Sequence, residues 1–228
     1  MDLSVQGLSL TAAQWRALFS LRWNVRIVEQ VQSDPQVRQT LRDMMRQRRR
    51  KLDAQTQLEA AKQLSQHLTS QPWYQRAQHI AVYIANDGEI DPIVFSHRAM
   101  HRGKQCYLPV LHPMKKGHLQ FADYNGPKVV NSFGIEEPDV KQCRAIDVRK
   151  IDVVLLPLVA FDQQGERLGM GGGYYDRTFE FLRRSGLNKP KLIGLAHDFQ
   201  QVDAIPTEAW DVPLTAIVTN KGVIKASG

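Results

Sequence analysis

Between Arg167 and Asp176 the chain places Gly169, Gly171, Gly172 and Gly173, within the run Gly165-Glu-Arg-Leu-Gly-Met-Gly-Gly-Gly-Tyr-Tyr-Asp-Arg-Thr-Phe179. That set of residue types suits an anion. Glycine lets backbone N–H groups approach a phosphate with no Cβ in the way. A helix opening at Tyr174, with Phe179 and Leu182 on one face, would add unpaired N–H donors and a partial positive charge. Arg167 would bring a full cation, and Asp176 a hard oxygen of the kind magnesium prefers. The bland alternative is a turn, with Asp176 only an acid favoured at a helix start. The run is neither of the two familiar nucleotide loops. It lacks the Gly-Lys-Ser/Thr ending of one, and its glycines miss the spacing of the other.

Such a loop needs a strand before it, and Ile151-Asp-Val-Val-Leu-Leu-Pro-Leu-Val-Ala-Phe161 reads as a buried one. Further apolar runs at 79–85, 105–111, 191–196 and 214–219 read as strands, and 119–124 as an edge strand. A helix is expected over 92–101 with Pro92 in its first turn. Strands alternating with helices imply a mainly parallel sheet covered on both faces. In such sheets ligands sit at the carboxyl ends of the strands. The glycine loop, Asp87-Gly-Glu89 and His197-Asp198 each follow a strand and so are expected at one shared site. His197 and Asp198 read as orienting residues or as an acid–base pair. Of Tyr174 and Tyr175, one is expected to pack inward and one to face a ligand.

Ahead of the sheet, Leu41, Met44, Met45, Arg48 and Leu52 follow helical spacing from Gln36 on. The cations between Arg42 and Lys51 form either a solvated face or part of a ligand site. Asp53 and Thr56-x-x-Glu59 offer a second helix start with a capping-box pattern, and Leu58, Ala61, Leu64 and Leu68 would line its buried face. Residues 125–150, with two prolines and many charges, read as an ordered loop or insert. Residues 1–35 form a distinct piece, in which Trp15, Leu18, Phe19 and Trp23 suit a short amphipathic helix, before a break at Ser33-Asp-Pro35.

A chain of 228 residues with 43% hydrophobic content can bury a sizeable α/β core. Its two cysteines give no disulfide framework, and Cys106, in an apolar run, reads as a small core residue. No Cys/His cluster has zinc spacing. No stretch approaches the ~20 apolar residues of a membrane helix, and Asp2 sits where a signal peptide carries positive charge. A cytoplasmic location without membrane attachment follows as the expectation. The net charge of +7 points to anionic partners, whether nucleic acid or polyanionic metabolites.

The Arg-Leu-Gly-x-Gly-x-Gly-Tyr-Tyr-Asp core resembles the signature of the 5-formyltetrahydrofolate cyclo-ligase (5,10-methenyltetrahydrofolate synthetase) family. The resemblance extends, in family order, through Leu41-Arg42, Arg48-Arg49-Arg50, Asp87-Gly-Glu-Ile-Asp91, Ala196-His-Asp198 and Trp210-Asp-Val-Pro-Leu214. It implies a domain over 36–228, with 1–35 as an extension. The implied fold is a three-layer αβα sandwich like that of ribose-phosphate isomerases and coenzyme A transferases. The implied reaction is a one-carbon ligation, in which ATP drives ring closure of 5-formyltetrahydrofolate to 5,10-methenyltetrahydrofolate. It implies an ATP site of Arg38, Arg42, Arg167, Leu168, Gly169, Met170, Gly171, Gly172, Gly173, Tyr174 and Tyr175, with Arg167 also the catalytic cation. Met170 to Tyr174 would also face the folate, with Ile84 and Glu89. Asp176 and Asp211 would hold Mg2+. Many members carry Lys where Gly172 stands, so one phosphate-contacting cation is expected to be missing; members often have an acid where Thr215 stands, so the metal shell here is expected to be weaker or more hydrated. A monomer acting on these two small molecules is expected, with no nucleic-acid partner.

Three other readings remain. The arginine-rich helix could bind nucleic acid, although no recognised module accompanies it. A sugar-phosphate isomerase or acyl-CoA enzyme could share the architecture. Gly172 could mark a member that binds folate without turnover.

Overall fold

The computed structural model describes residues 35–185, 187, 189–205 and 208–226. The expected amphipathic helix over Trp15–Trp23 lies outside the described residues. The first element is α1 (Pro35–Arg50), then α2 (Ala54–Thr69) and the short α3 (Pro72–Arg76). The sheet begins with β1 (His79–Ala81), crosses over through α4 (Ile93–His101) to β2 (Gln105–Leu111), and turns back as β3 (Leu119–Asp123). Segment 125–150 holds the hairpin β4 (Lys128–Val130) and β5 (Glu136–Pro138), then β6 (Ala145–Ile146). The second half contains β7 (Val153–Pro157), the small hairpin β8 (Ala160–Phe161) and β9 (Arg167–Leu168), and helices α5 (Tyr174–Phe179) and α6 (Phe181–Ser185). It ends with β10 (Lys191–Leu195), β11 (Ala216–Val218) and β12 (Val223–Lys225).

Eight strands form one sheet in the order β12-β11-β10-β7-β1-β2-β3-β6. From β11 to β2 all neighbours are parallel, and the outer pairs are antiparallel. Alternate residues along each parallel strand feed opposite cores, as a pleat of period two requires. Val153, Leu155, Ile193, Ala216 and Val218 pack with α2, α3 and α4 on one face. Val154, Leu156, Leu192 and Ile217 pack with Phe179 of α5 on the other. The three-layer αβα sandwich follows from that alternation. A third, smaller cluster joins Met45 of α1 to Val159, Ala160, Leu168 and Ile205.

Several local expectations are corrected. The run 151–161 is two strands, because the chain leaves the sheet at Leu158. That residue's carbonyl accepts from Arg49 Nη1 at 3.2 Å and Gln200 Nε2 at 2.8 Å rather than from a neighbouring strand. Strand β3 is not an edge, since β6 pairs outside it. Pro92 is the residue before α4, not part of its first turn. Helix α2 starts at Ala54 on the expected Asp53, whose carboxylate as N-cap accepts from Thr56 N at 2.7 Å, so Thr56 is a residue of the first turn and not a cap. Leu58 is exposed, not on the packed face.

Candidate functional site

Strand order reverses between β1 and β7: the chain builds outward through β2 and β3 on one side and through β10 and β11 on the other. A crevice at the carboxyl ends of two such strands is where open α/β sheets bind ligands. The segment after β1 carries Asp87-Gly-Glu89, and the β8–β9 hairpin after β7 delivers the glycine loop. A cavity of about 810 Å³ opens there. It is lined by Arg38, Arg42, Ile84, Glu89, Arg167, Gly169, Met170, Gly171, Gly172, Gly173, Tyr174, Tyr175, Asp176 and Asp211.

Leu168 is the exception among the loop residues. Its side chain is 1% exposed and belongs to the small core under α1, where its carbonyl accepts from Val159 N at 2.9 Å. As a strand residue next to Arg167 it must point to the opposite face. His197 and Asp198 also lie off this cavity and line a separate one of about 370 Å³ beside α2. The turn they belong to holds α1 instead: His197 stacks on Phe199 at 5.3 Å, and the Arg48 guanidinium lies 4.6 Å over the Phe199 ring. Burial lowers the His197 pKa to about 4, so the ring is neutral at pH 7.

The arginines of α1 are not a solvated face. Arg46 (2.6 Å), the fully buried Arg49 (3.2 Å) and Arg50 all pair with the single carboxylate of Asp87. Asp87 is held at φ +53, a strained conformation for a residue with a side chain. Gly88 follows at φ +73, and a Cβ there would lie 2.7 Å from the Arg49 carbonyl carbon, so the turn sits directly on the helix backbone. The other end of α1 reaches the glycine loop, where Arg42 Nε donates to Gly169 O at 2.9 Å. Arg38 pairs with Glu208 at 2.9 Å. Burial, and then the neighbouring Arg38 cation, pull Arg42 below the ordinary arginine pKa. An anion between the two cations would relieve that repulsion.

In the loop itself, Gly173 is the residue before α5 and adopts φ +61, with no side-chain cap on the helix's first N–H groups. The residues of this helix start line the same cavity as Arg42. Arg167 is largely committed to its neighbours: it pairs with Asp176 and donates to Val212 O at 2.6 Å. The Asp176 carboxylate also accepts from Val212 N at 3.3 Å, which ties α5 to the segment containing Asp211. Burial raises the Asp211 pKa, and the Asp176 charge adds to the rise, so the two carboxylates sit close enough to repel. Among the described residues no group of three or more His, Cys, Asp or Glu is arranged for a metal. Two carboxylates that share one wall suit magnesium, which takes few protein ligands and completes its shell with phosphate and water, although the Arg167 guanidinium already pairs with one of them.

On the side of β1, Tyr83, Ile84, Leu108, Leu111 and Leu119 form an apolar wall. Glu89 is set into it. Burial raises its pKa to about 7, against the bond from Asn86 N at 3.1 Å, which favours the ionised form. Both tyrosines of the loop line the cavity and also pack on the core, rather than dividing these tasks. Tyr174 meets Phe133 edge-on at 6.1 Å, and Phe133 stands at the tip of the β4–β5 hairpin, 59% exposed. Sequence reasoning missed that hairpin, Tyr83 and Trp210 as parts of the site, whereas Asp87 lines the cavity as its place after a strand predicts. Segment 128–138 has no apolar alternation to mark it, and β4 is wholly exposed. What the sequence did not show of Asp87 is its pairing with Arg46, Arg49 and Arg50.

Comparison with known proteins adds identity to geometry. A model of the 5-formyltetrahydrofolate cyclo-ligase family matches residues 34–220. The 5-formyltetrahydrofolate cyclo-ligase of Escherichia coli K12 is 40% identical over 178 residues, covering 77% of this chain and 96% of its own. That of Haemophilus influenzae is 40% identical over 185 residues, covering 80% and 97%. The NMR structure of Aquifex aeolicus 5,10-methenyltetrahydrofolate synthetase superposes with a TM-score of 0.69 at 28% identity, covering 84% of this chain and 94% of that one.

Proposed function

The chain belongs to the 5-formyltetrahydrofolate cyclo-ligase family, and we propose that it uses ATP to close 5-formyltetrahydrofolate to 5,10-methenyltetrahydrofolate in the pocket between β1 and β7. One observation carries the reading. A single cavity joins a cationic, glycine-lined wall suited to phosphate to an apolar wall holding one carboxylate, suited to a pterin.

The chemistry explains why both walls are needed. The formamide oxygen on N5 is a poor leaving group. Transfer of the γ-phosphoryl group to that oxygen, with ADP leaving, makes it a good one. N10 then attacks the formyl carbon and loses its proton, and phosphate departs with the former formyl oxygen. The protein positions the two reactants and offsets the charge on the transferring group. Arg38 and Arg42 would take the phosphate chain with the loop N–H groups. Arg167 would neutralise the transferring group from its place beside Asp176. Asp176 and Asp211 would hold Mg2+, which would supply positive charge to offset that of the transferring phosphoryl group. Ionised Glu89 would accept two N–H bonds from the pterin, and Ile84 would pack against it. Met170 to Tyr174 would stand between the substrates. On this reading the protein is a cytoplasmic monomer.

Substrate labelled with 18O in the formyl group tests the route. Phosphate released in a single turnover should carry the label. Unlabelled phosphate, with label lost to water, would contradict phosphorylation of the formyl oxygen.

A further inference from the structure

Trp210 is a large aromatic on the cationic side of the cavity that nothing in the mechanism uses. It is 63% exposed, lines the cavity, and makes no hydrogen bond or ring contact among the described residues. Its backbone is nevertheless fixed. Asp211 N donates to Glu208 O at 2.9 Å, and Glu208 N donates to the Asp211 carboxylate at 2.9 Å. The Glu208 carboxylate in turn takes Arg38 at 2.9 Å. A tight turn thus holds an indole at the rim, between the residue that pairs with Arg38 and a carboxylate placed to meet phosphate.

We propose that Trp210 is the stacking platform for the purine ring of the nucleotide. The proposal rests on the ATP reading above and adds the residue that grips the base. An exposed indole has a broad apolar face to cover, and a purine presents a π-face whatever its hydrogen-bonding edge. A phosphate chain running from the glycine loop past Asp211 carries its base toward the neighbouring residue. The other flat ring in the reaction, the pterin, has its own wall: Tyr83, Ile84 and Glu89 stand on the β1 side, with Phe133 closing over Tyr174. Such a platform favours nucleotides over bare polyphosphate without reading which purine is present.

The test is calorimetric titration of the full-length protein, as wild type, Trp210→Ala and Trp210→Phe, with ADP, inorganic tripolyphosphate and 5-formyltetrahydrofolate in turn. Loss of one aromatic–base stack should weaken ADP roughly five- to a hundredfold in the alanine variant. Tripolyphosphate and folate affinities should stay unchanged, and phenylalanine should restore most of the ADP affinity. Unchanged ADP affinity in Trp210→Ala would overturn the proposal. Equal weakening of ADP and tripolyphosphate would also overturn it, by showing that the turn had been lost. Weakening of folate alone would assign the indole to the pterin. If wild type binds neither ADP nor tripolyphosphate, the ATP reading itself falls, and the platform with it.

Discussion

A single carboxylate, Glu89, would on the proposed reading tie environment to substrate choice. Its surroundings hold the pKa at about 7 without ligand, so near neutrality half the molecules carry the proton. Only the ionised form accepts two pterin N–H bonds, and those bonds favour the charge. Folate affinity should therefore rise between pH 6 and pH 8, with a proton released on binding near pH 7. Calorimetry in two buffers of different ionisation enthalpy would read that proton; affinity that falls over this range would show that Glu89 binds protonated. Glu89→Gln should weaken folate by about 1.5–3 kcal/mol, the worth of a charged hydrogen bond, and leave ATP nearly unaffected. Equal loss for both ligands would remove Glu89 from the folate role. The two carboxylates proposed to hold the metal make a paired prediction. Asp176→Asn and Asp211→Asn should each raise the magnesium concentration needed for half-maximal rate, since both would contribute to one ion. A magnesium titration at fixed ATP, with circular dichroism as folding control, would check this. Unchanged dependence in both would leave Asp176 as a structural partner of Arg167 and Val212.

Helix α1 is the element that assembles the pocket, and the sequence showed its cations without showing their task. Asp87 gathers Arg46, Arg49 and Arg50, so the turn after β1 is clamped to α1, and α1 in turn presents Arg38 and Arg42. Local sequence cannot reveal such a contact. It joins residues some forty positions apart and depends on a left-handed backbone at Asp87. Gly88→Ala should break it. The left-handed backbone alone would cost about 1–3 kcal/mol, and the Cβ would meet the backbone of Arg49. Urea denaturation should show that loss of stability, and the surviving folded protein should bind both ATP and folate more weakly. Full stability in Gly88→Ala would mean that α1 does not depend on this turn. The glycine loop was legible for the opposite reason. The function proposed for it rests on backbone N–H groups and on the absence of side chains, both written directly in residue type. The hairpin wall was not, because an exposed strand has no buried face to impose alternation.

On the scale of the molecule, the sheet was readable because its parallel strands are buried on both faces and appear as short apolar runs. Their ends were less readable, since strands stop where a side chain such as Gln200 takes a carbonyl in place of a neighbour. The placement of His197 failed for a related reason: following a strand brings a residue to the right edge of the sheet, not into the cavity. The family match opens at residue 34, where α1 is about to begin. Removal of residues 1–34 should leave turnover within a fewfold of the full chain, and kinetics on the truncated protein would check it; a hundredfold loss with folding intact would bring the extension into the site. The most direct measurement mixes the full-length protein with 5-formyltetrahydrofolate and Mg-ATP and follows methenyltetrahydrofolate absorbance alongside ADP. Our account predicts both products at one-to-one stoichiometry, and none of either when ATP or folate is withheld. ADP release without methenyltetrahydrofolate, or bound ligands with no turnover, would contradict it.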